Sequence, residues 1–91
     1  MGGRIMNQLA VSLAGHDKDS VYVIVGEEER TVLLADGKAK TLQDPKKKNL
    51  KHIRRIIHLP AEVVRELETA SKDSDLVHVL RLYQAYQKEK R

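Results

Sequence analysis

The chain of 91 residues has a formal net charge of +4, contains 41% hydrophobic and 33% charged residues, and lacks cysteine. This length allows one small folded unit with an appendage and excludes two full cores. The absence of cysteine excludes a disulfide framework and a thiolate metal site, and no apolar run approaches the roughly 18 residues that a membrane helix needs. We therefore expect a cytoplasmic protein that does not enter a membrane.

The first half of the chain has the pattern of short strands separated by polar turns. LAVSL, within residues 8–14, and VYVIV are rich in β-forming residues, and GHDKDS separates them. The charged turn GEEER leads to TVLLA, after which Asp36-Gly37 supplies the positive φ angles of a tight hairpin turn. Residues 38–42 are expected to form the returning strand, which Pro45 interrupts because proline has no N–H to donate. A last short strand or turn is expected around Leu50 and Ile53.

The second half of the chain changes to a helical period. LPAEVVRELETA predicts a helix over residues 61–70, with Pro60 suited to its first turn. A second helix is expected from an N-cap at Ser74 to about residue 87. We expect its apolar side to dock on the strands, although pairing with a partner protein or a second copy is the alternative. This side comprises Leu76, Val79, Leu80, Tyr83 and Tyr86.

These elements predict a mainly β architecture with a helical appendage. Strands this few and this short must curl into a small barrel to hide their edges. The expected organisation is a flexible leader over residues 1–5, a barrel with a basic segment over residues 6–57, and a C-terminal helical pair over residues 58–91.

The segments AGHDKDSVYVIV and LADGKAKTLQDPKKKNLKHI resemble the KOW domain of the ribosomal type. In particular, residues 8–53 are similar to small bacterial KOW-domain RNA-binding proteins, relatives of the archaeal and eukaryotic large-subunit ribosomal protein numbered fourteen. The two helices resemble the tail usual in bacterial members. The resemblance implies an SH3-like barrel that contacts ribosomal RNA. Two positions depart from the family: Asn7 stands where members commonly have Gly, and Asp19-Ser20 replaces the usual Gly after Asp17-Lys18.

Positive charge is concentrated in one segment. PKKKNLKHIRR, residues 45–55, holds six Lys or Arg and no carboxylate, and residues 37–58 hold eight basic residues against Asp44 alone. Phosphates attract such clusters through counterion release, so the run predicts a track for an RNA backbone on one edge of the barrel. A solvated loop and a nuclear-localisation signal are the alternatives. The expected track comprises Lys46, Lys47, Lys48, Lys51, Arg54 and Arg55, flanked by Lys38, Lys40 and Asn49.

The turn Gly15-His16-Asp17-Lys18 is a second candidate contact. Gly15 suits a sharp turn that needs a positive φ, and Asp17 is expected to bond to the backbone of its own loop. The resemblance implies that His16 and Lys18 reach RNA, with simple exposure as the alternative. His52 is expected to be an RNA contact or a packed turn residue.

Other functional classes find little support in the sequence. The four histidines have no i, i+4 pair and no cysteine partner, so we expect no metal site. No nucleophile motif, phosphate-cradling glycine loop or acid/base carboxylate pair is present, and we expect no enzyme, no cofactor and no small-molecule substrate. The turn GEEER is expected to point away from bound RNA because its carboxylates repel phosphate. With three Tyr, no Trp and no Phe, contacts with the backbone of structured RNA are favoured over stacking on bases.

The sequence therefore predicts a non-catalytic RNA-binding protein that associates with ribosomal RNA on the large subunit. Neighbouring ribosomal proteins are further expected partners. The alternative is a protein-interaction module, in which the barrel or the helical tail recruits a partner to the translation or transcription apparatus. DNA binding is disfavoured by the resemblance but not by the charge. Deletion of all residues after His58 is expected to separate the first two interpretations.

Overall fold

The computed structural model describes residues 8–89, so the leader expected over residues 1–5 lies outside the described part of the chain. This part folds into five strands, a short 3₁₀ helix and two α-helices. The elements are β1 (Gln8–Ser12), β2 (Val21–Glu27), β3 (Thr31–Ala35), β4 (Lys46–Asn49), the 3₁₀ helix η1 (Leu50–His52), β5 (Ile53–Ile56), α1 (Ala61–Thr69) and α2 (Asp73–Glu89).

The five strands form one antiparallel sheet in the order β4-β3-β2-β1-β5. Its two edge strands, β4 and β5, follow each other in the chain with only the three residues of η1 between them. The sheet must therefore curl until its edges approach each other. This curled sheet, followed by two helices, confirms the expected mainly β fold with a small SH3-like barrel and a C-terminal helical pair.

The curled sheet is buried on both faces at its central strand, β2. Alternate residues of β2 face opposite sides, so Tyr22 and Ile24 point into the barrel while Val23 and Val25 point towards the helices. The barrel interior is formed by Ala10, Tyr22, Ile24, Val32, Leu34 and Ile53. This burial of β2 on both sides explains why its sequence is a continuous apolar run.

The apolar side of α2 docks on the outer face of the sheet, as the sequence predicted. Leu76 and Val79 are fully buried in one cluster with Leu9 and Val23. Because the barrel and the helices share this cluster, deletion of the residues after His58 would expose the outer face of the sheet. That deletion therefore cannot separate the functional interpretations. Neither helix in the described part of the chain is long and apolar enough to span a membrane.

The fourth strand does not form where the sequence predicted it. Gly37 has the expected positive φ of 83°, and the Asp36 carboxylate accepts N–H bonds from Lys38 and Lys40, each at 2.9 Å. The chain then continues as an irregular loop, and the expected strand over residues 38–42 is absent from it. Proline at position 45 precedes the real β4 and does not interrupt a ladder, so the lysine triplet is itself the strand that pairs with β3.

This loop is held by α2, which explains why it does not return along β3. The backbone N–H of Leu42 donates to Asp73 Oδ1 at 2.8 Å. A Cβ atom built on Gly37 would lie 2.3 Å from the carbonyl oxygen of Asp73, so the loop and the helix are in close contact. Contacts of this kind between distant segments are not visible in a local sequence pattern.

The helix boundaries agree closely with the sequence, except at the start of α2. This helix begins at Asp73, so the expected N-cap, Ser74, lies inside its first turn. The capping acceptor is instead Asp75 Oδ2, which accepts the backbone N–H groups of Ser71 and Lys72 at 2.9 and 3.2 Å. These two backbone hydrogen bonds lower the pKa of Asp75.

Candidate nucleic-acid interface

The lysine triplet is divided between the two faces of the sheet. In β4, Lys46 and Lys48 pair with Leu34 and Val32, whose side chains point into or towards the barrel interior, whereas Lys47 pairs with Leu33 on the outer side. This division follows from the two-residue period of a strand. The three lysines therefore do not form one continuous track, as they would in an extended loop.

Lys48 is a structural residue. Its Nζ atom donates to Asp17 Oδ1, Ser12 Oγ and the carbonyl oxygen of Ala14, each at 2.7 Å. An ammonium group has three N–H donors, so all of them are used within the protein. Only 10% of the side chain is exposed. These bonds argue against the expected role of Lys48 as a phosphate ligand, because its charge ties β4 to the loop between β1 and β2.

Asp17 is the centre of this network. Its Oδ1 atom also lies 2.9 Å from Ser12 Oγ, and its Oδ2 atom accepts from Lys46 Nζ at 2.8 Å and from the Tyr22 hydroxyl at 3.1 Å. The expectation that this carboxylate bonds to the backbone of its own loop is therefore wrong, since it bonds to four side chains that lie on β1, β2 and β4. Two lysines share one carboxylate, which leaves an excess of positive charge beside the loop.

The network changes the acidity of two of its members. Burial raises the pKa of Asp17, but hydrogen bonds from Lys46, Lys48, Ser12 and Tyr22 outweigh it and hold the pKa well below its usual range. Burial, followed by the hydrogen bond to Asp17 and the charge of that carboxylate, raises the pKa of Tyr22 to about 12. Asp17 is therefore ionised and Tyr22 neutral at any physiological pH.

The loop between β1 and β2 has the sharp turn that the sequence predicted. Gly15 has a φ of 88°, and Asp19, one of the residues that depart from the family pattern, has a φ of 74°. The backbone N–H of Leu13 donates to the carbonyl oxygen of His52 at 2.8 Å, which joins the loop to η1. His16 and Lys18 are exposed on this loop, and Asp17 between them contacts Lys46 and Lys48 of β4.

The acidic turn lies beside the basic segment and does not point away from it. Glu28 Oε1 is 3.1 Å from Lys47 Nζ, and Glu27 accepts from Arg55, whose guanidinium group also donates to Gln8. The separation expected from the sequence is therefore wrong. Its cause is the pairing of β3 with β4, which places the β2–β3 turn next to the end of the lysine strand.

Four exposed or partly paired cations remain around η1, and we call them the cationic corner: Arg30, Lys47, Lys51 and Arg54. Arg30 was missed by the sequence analysis because three glutamates precede it. Its carbonyl oxygen accepts the N–H of Leu50 at 3.0 Å, which places it beside η1. Within residues 8–89, neither Lys51 nor Arg54 forms an ion pair.

The residues expected to flank the track have other positions. Asn49 caps η1, since its Oδ1 atom accepts the Lys51 N–H at 3.0 Å. Lys38 and Lys40 follow the far end of β3, about 17 Å from Arg30 for a strand of this length. Lys38 lines a cleft of about 500 Å³ between the barrel and α2. The structure therefore does not bring these two lysines into the cationic corner.

The side chains that would support base stacking or metal binding are not available at this surface. Tyr22 and Tyr83 are buried, and Tyr86 is partly buried with its ring 6.4 Å from that of Tyr83. In the part of the chain that the structure describes, no group of three His, Asp or Glu side chains is arranged to hold a metal ion. The surface at the cationic corner therefore presents charged side chains, and not exposed tyrosine rings, to a ligand.

No protein-family model matches this chain, and no curated protein matches it either. The functional assignment therefore depends on the residues and their geometry.

Proposed function

We propose that this is a non-catalytic RNA-binding protein of the cytoplasm, and that it binds ribosomal RNA on the large ribosomal subunit. The observation that carries the proposal is the charge that remains after internal pairing. Six cations of residues 46–55 meet three carboxylates, those of Asp17, Glu27 and Glu28, which leaves an excess of three positive charges. Such an excess on one side of a small domain attracts a phosphate backbone.

The cationic corner provides the contacts in this proposal. Lys51 and Arg54 are exposed, and within residues 8–89 neither has a carboxylate partner to give up before it binds a phosphate. A lysine acts as a point charge, whereas an arginine binds two phosphate oxygens at once. Because the tyrosines are covered, recognition relies on the backbone and shape of folded RNA and not on stacked bases.

The choice of ribosomal RNA depends on the resemblance to ribosomal KOW proteins. Asp19 belongs to a departure from that resemblance, because Asp19-Ser20 replaces the usual Gly after Asp17-Lys18. Its φ of 74° belongs to the left-handed region, which Gly adopts more easily than other residues. Association with neighbouring ribosomal proteins follows from the same resemblance. The absence of an enzymatic activity and of a cofactor is part of the proposal.

The protein-interaction alternative proposed the barrel or the helical tail as the contact with a partner. The apolar side of that tail is not available for it, because Leu76, Val79, Leu80 and Tyr83 are buried against the barrel and α1. The cleft beside Lys38 lies between the barrel and α2, but its lining is mixed in charge and gives no indication of a partner. RNA binding is therefore the better supported function.

The test is the salt dependence of RNA binding by the full chain. A fragment of large-subunit ribosomal RNA is titrated with the wild type and with Arg30→Ala/Lys51→Ala/Arg54→Ala, at several salt concentrations. Each lost phosphate contact flattens the log–log slope by about 0.7 to 0.9, so we expect a change of roughly 2 to 3 for the triple variant. Duplex DNA is the competitor that separates RNA from general polyanion binding.

The matched control is Lys38→Ala/Lys40→Ala/Lys72→Ala, which removes the same charge at the other end of the molecule. Its slope is expected to change by less than about 1 unit. Equal effects in the two triple variants would contradict the assignment of the cationic corner. Sedimentation of cell lysate at low salt then tests the ribosomal part of the proposal, which predicts the protein in the large-subunit fractions.

A further inference from the structure

The ion pair between Lys47 and Glu28 differs from the other pairs of the basic segment in its exposure. Lys47 is 61% exposed and Glu28 50%, with 3.1 Å between Nζ and Oε1, whereas Lys48 and Asp17 are 10% and 11% exposed. Exposed pairs contribute little net free energy because water solvates both charges well. The pair between Lys47 and Glu28 therefore opens easily, while the buried network does not.

The carboxylate is the fixed member of this pair. Thr31 Oγ1 donates to Glu28 Oε1 at 3.1 Å, and the backbone N–H of Glu28 donates to the carbonyl oxygen of Thr31 at 2.8 Å. Both bonds belong to the tight turn between β2 and β3. Hydrogen bonds from Lys47 and then Thr31 lower the pKa of Glu28, so it is ionised near neutral pH. The long side chain of Lys47 is the member that moves.

Arg55 does not offer the same possibility, although it is also paired with a glutamate. Its guanidinium group donates to Gln8 and to Glu27 at the same time, and only 35% of each ion-paired side chain is exposed. Two acceptors on two different strands hold it in place. Among the lysine and arginine side chains with a carboxylate partner in residues 8–89, Lys47 belongs to the most exposed pair and is therefore the one that most easily exchanges its partner for an external anion.

We infer that Glu28 is an internal competitor for phosphate at Lys47, and that it thereby sets the affinity of the cationic corner for polyanions. The inference rests on the proposed function for its ligand, RNA. In the free protein the carboxylate occupies the place that a phosphate oxygen takes in the complex. Binding has to draw Lys47 away from Glu28, and the carboxylate left behind then repels the phosphate that has taken its place at Lys47.

Two substitutions with the same change of charge test this inference. Glu28→Gln removes the competitor and keeps an oxygen for the Thr31 hydroxyl, whereas Glu29→Gln removes the neighbouring exposed carboxylate. Glu29 forms no ion pair in the described part of the chain. We expect Glu28→Gln to bind the ribosomal RNA fragment about twofold to fivefold more tightly than Glu29→Gln.

The dependence on Lys47 is tested by repeating both substitutions in a Lys47→Ala background. In that background Glu28→Gln should bind the RNA fragment no more tightly than Glu29→Gln, because the lysine for which Glu28 and phosphate compete is absent. An equal effect of the two substitutions in the wild-type background would overturn the inference. The same conclusion would follow if the advantage persisted without Lys47.

Retention on immobilised heparin separates this inference from the proposed function. Heparin is a general polyanion, so it reports competition at Lys47 whether or not RNA is the natural ligand. If Glu28→Gln elutes later than Glu29→Gln but the wild type does not bind ribosomal RNA, the proposed function is refuted. The competition at Lys47 would then still be supported by the elution order. Co-elution of the two variants would refute the competition itself.

Discussion

The ammonium group of Lys48 lies 2.7 Å from Asp17 Oδ1, and this contact joins the edge strand β4 to the loop between β1 and β2. Both side chains are nearly covered, with 10% and 11% exposure. A residue whose sequence context indicates RNA binding is therefore part of the fold. The consequence is that the loop carrying His16 and Lys18 has a fixed position relative to the lysine strand.

Lys48→Met tests this structural role, because methionine keeps the aliphatic stem and removes the charge. We expect the free energy of unfolding to fall by about 1–3 kcal/mol, since Ser12, Ala14 and Asp17 each lose a donor. Lys47→Met, on the exposed side of the same strand, should cost less than about 0.5 kcal/mol. Urea denaturation measures both, and equal small effects would show that Lys48 is not structural.

The depressed pKa of Asp17 makes the stability dependent on acid pH. Its folded-state pKa lies below the ordinary value of 3.8, so its contribution is complete above that value and is lost as the pH falls through and below it. We expect Asp17→Asn to be about 1–3 kcal/mol less stable than the wild type at pH 7. The difference should shrink steadily below about pH 4.

Thermal unfolding of both proteins between neutral pH and strong acid provides the measurement. Asp44→Asn is the control, because that carboxylate is exposed and forms no ion pair in residues 8–89. A constant difference between Asp17→Asn and the wild type across the acid range would contradict the prediction.

Gly37→Ala should destabilise the contact between the 36–45 loop and α2. The φ of 83° costs a residue with a Cβ about 1–2 kcal/mol, and the added carbon would lie 2.3 Å from the backbone oxygen of Asp73. Gly15→Ala is the matched variant, because its φ is 88° and its nearest side-chain atom would be 3.5 Å away. We expect a clearly larger loss of thermal stability for Gly37→Ala. Similar losses of thermal stability in the two variants would mean that the 36–45 loop moves away from α2 without an energetic penalty.

Asp19→Gly should stabilise the protein. Asp19 is the non-glycine residue with positive φ among those described, and Gly removes the steric cost of that conformation, for a gain of about 0.5 kcal/mol. Asp44→Gly, at an exposed loop position without positive φ, should instead lose about 0.5–1 kcal/mol because Gly increases the entropy of the unfolded chain. Urea denaturation measures the change in the free energy of unfolding for both variants. Changes of opposite sign would support the prediction, and changes of the same sign would contradict it.

Much of the fold follows from local sequence patterns. The β-forming run VYVIV, the turn at Asp36-Gly37 and the helical periods each depend on residues close together in the chain. These features predict strands β1, β2 and β3 and both helices within a few residues. The position of β4 was not predicted, because an irregular loop held by α2 separates it from β3.

The sequence by itself determined the amount of positive charge and its concentration in residues 45–55. The tertiary structure decided which of those charges are available to a ligand. Lys48 meets Asp17 across 31 positions of the chain, and Arg55 meets Glu27 across 28. Ion pairing depends on the distance between charges in space. That distance is set here by strand order, register and the alternation of side chains across the sheet, none of which a run of lysines can specify.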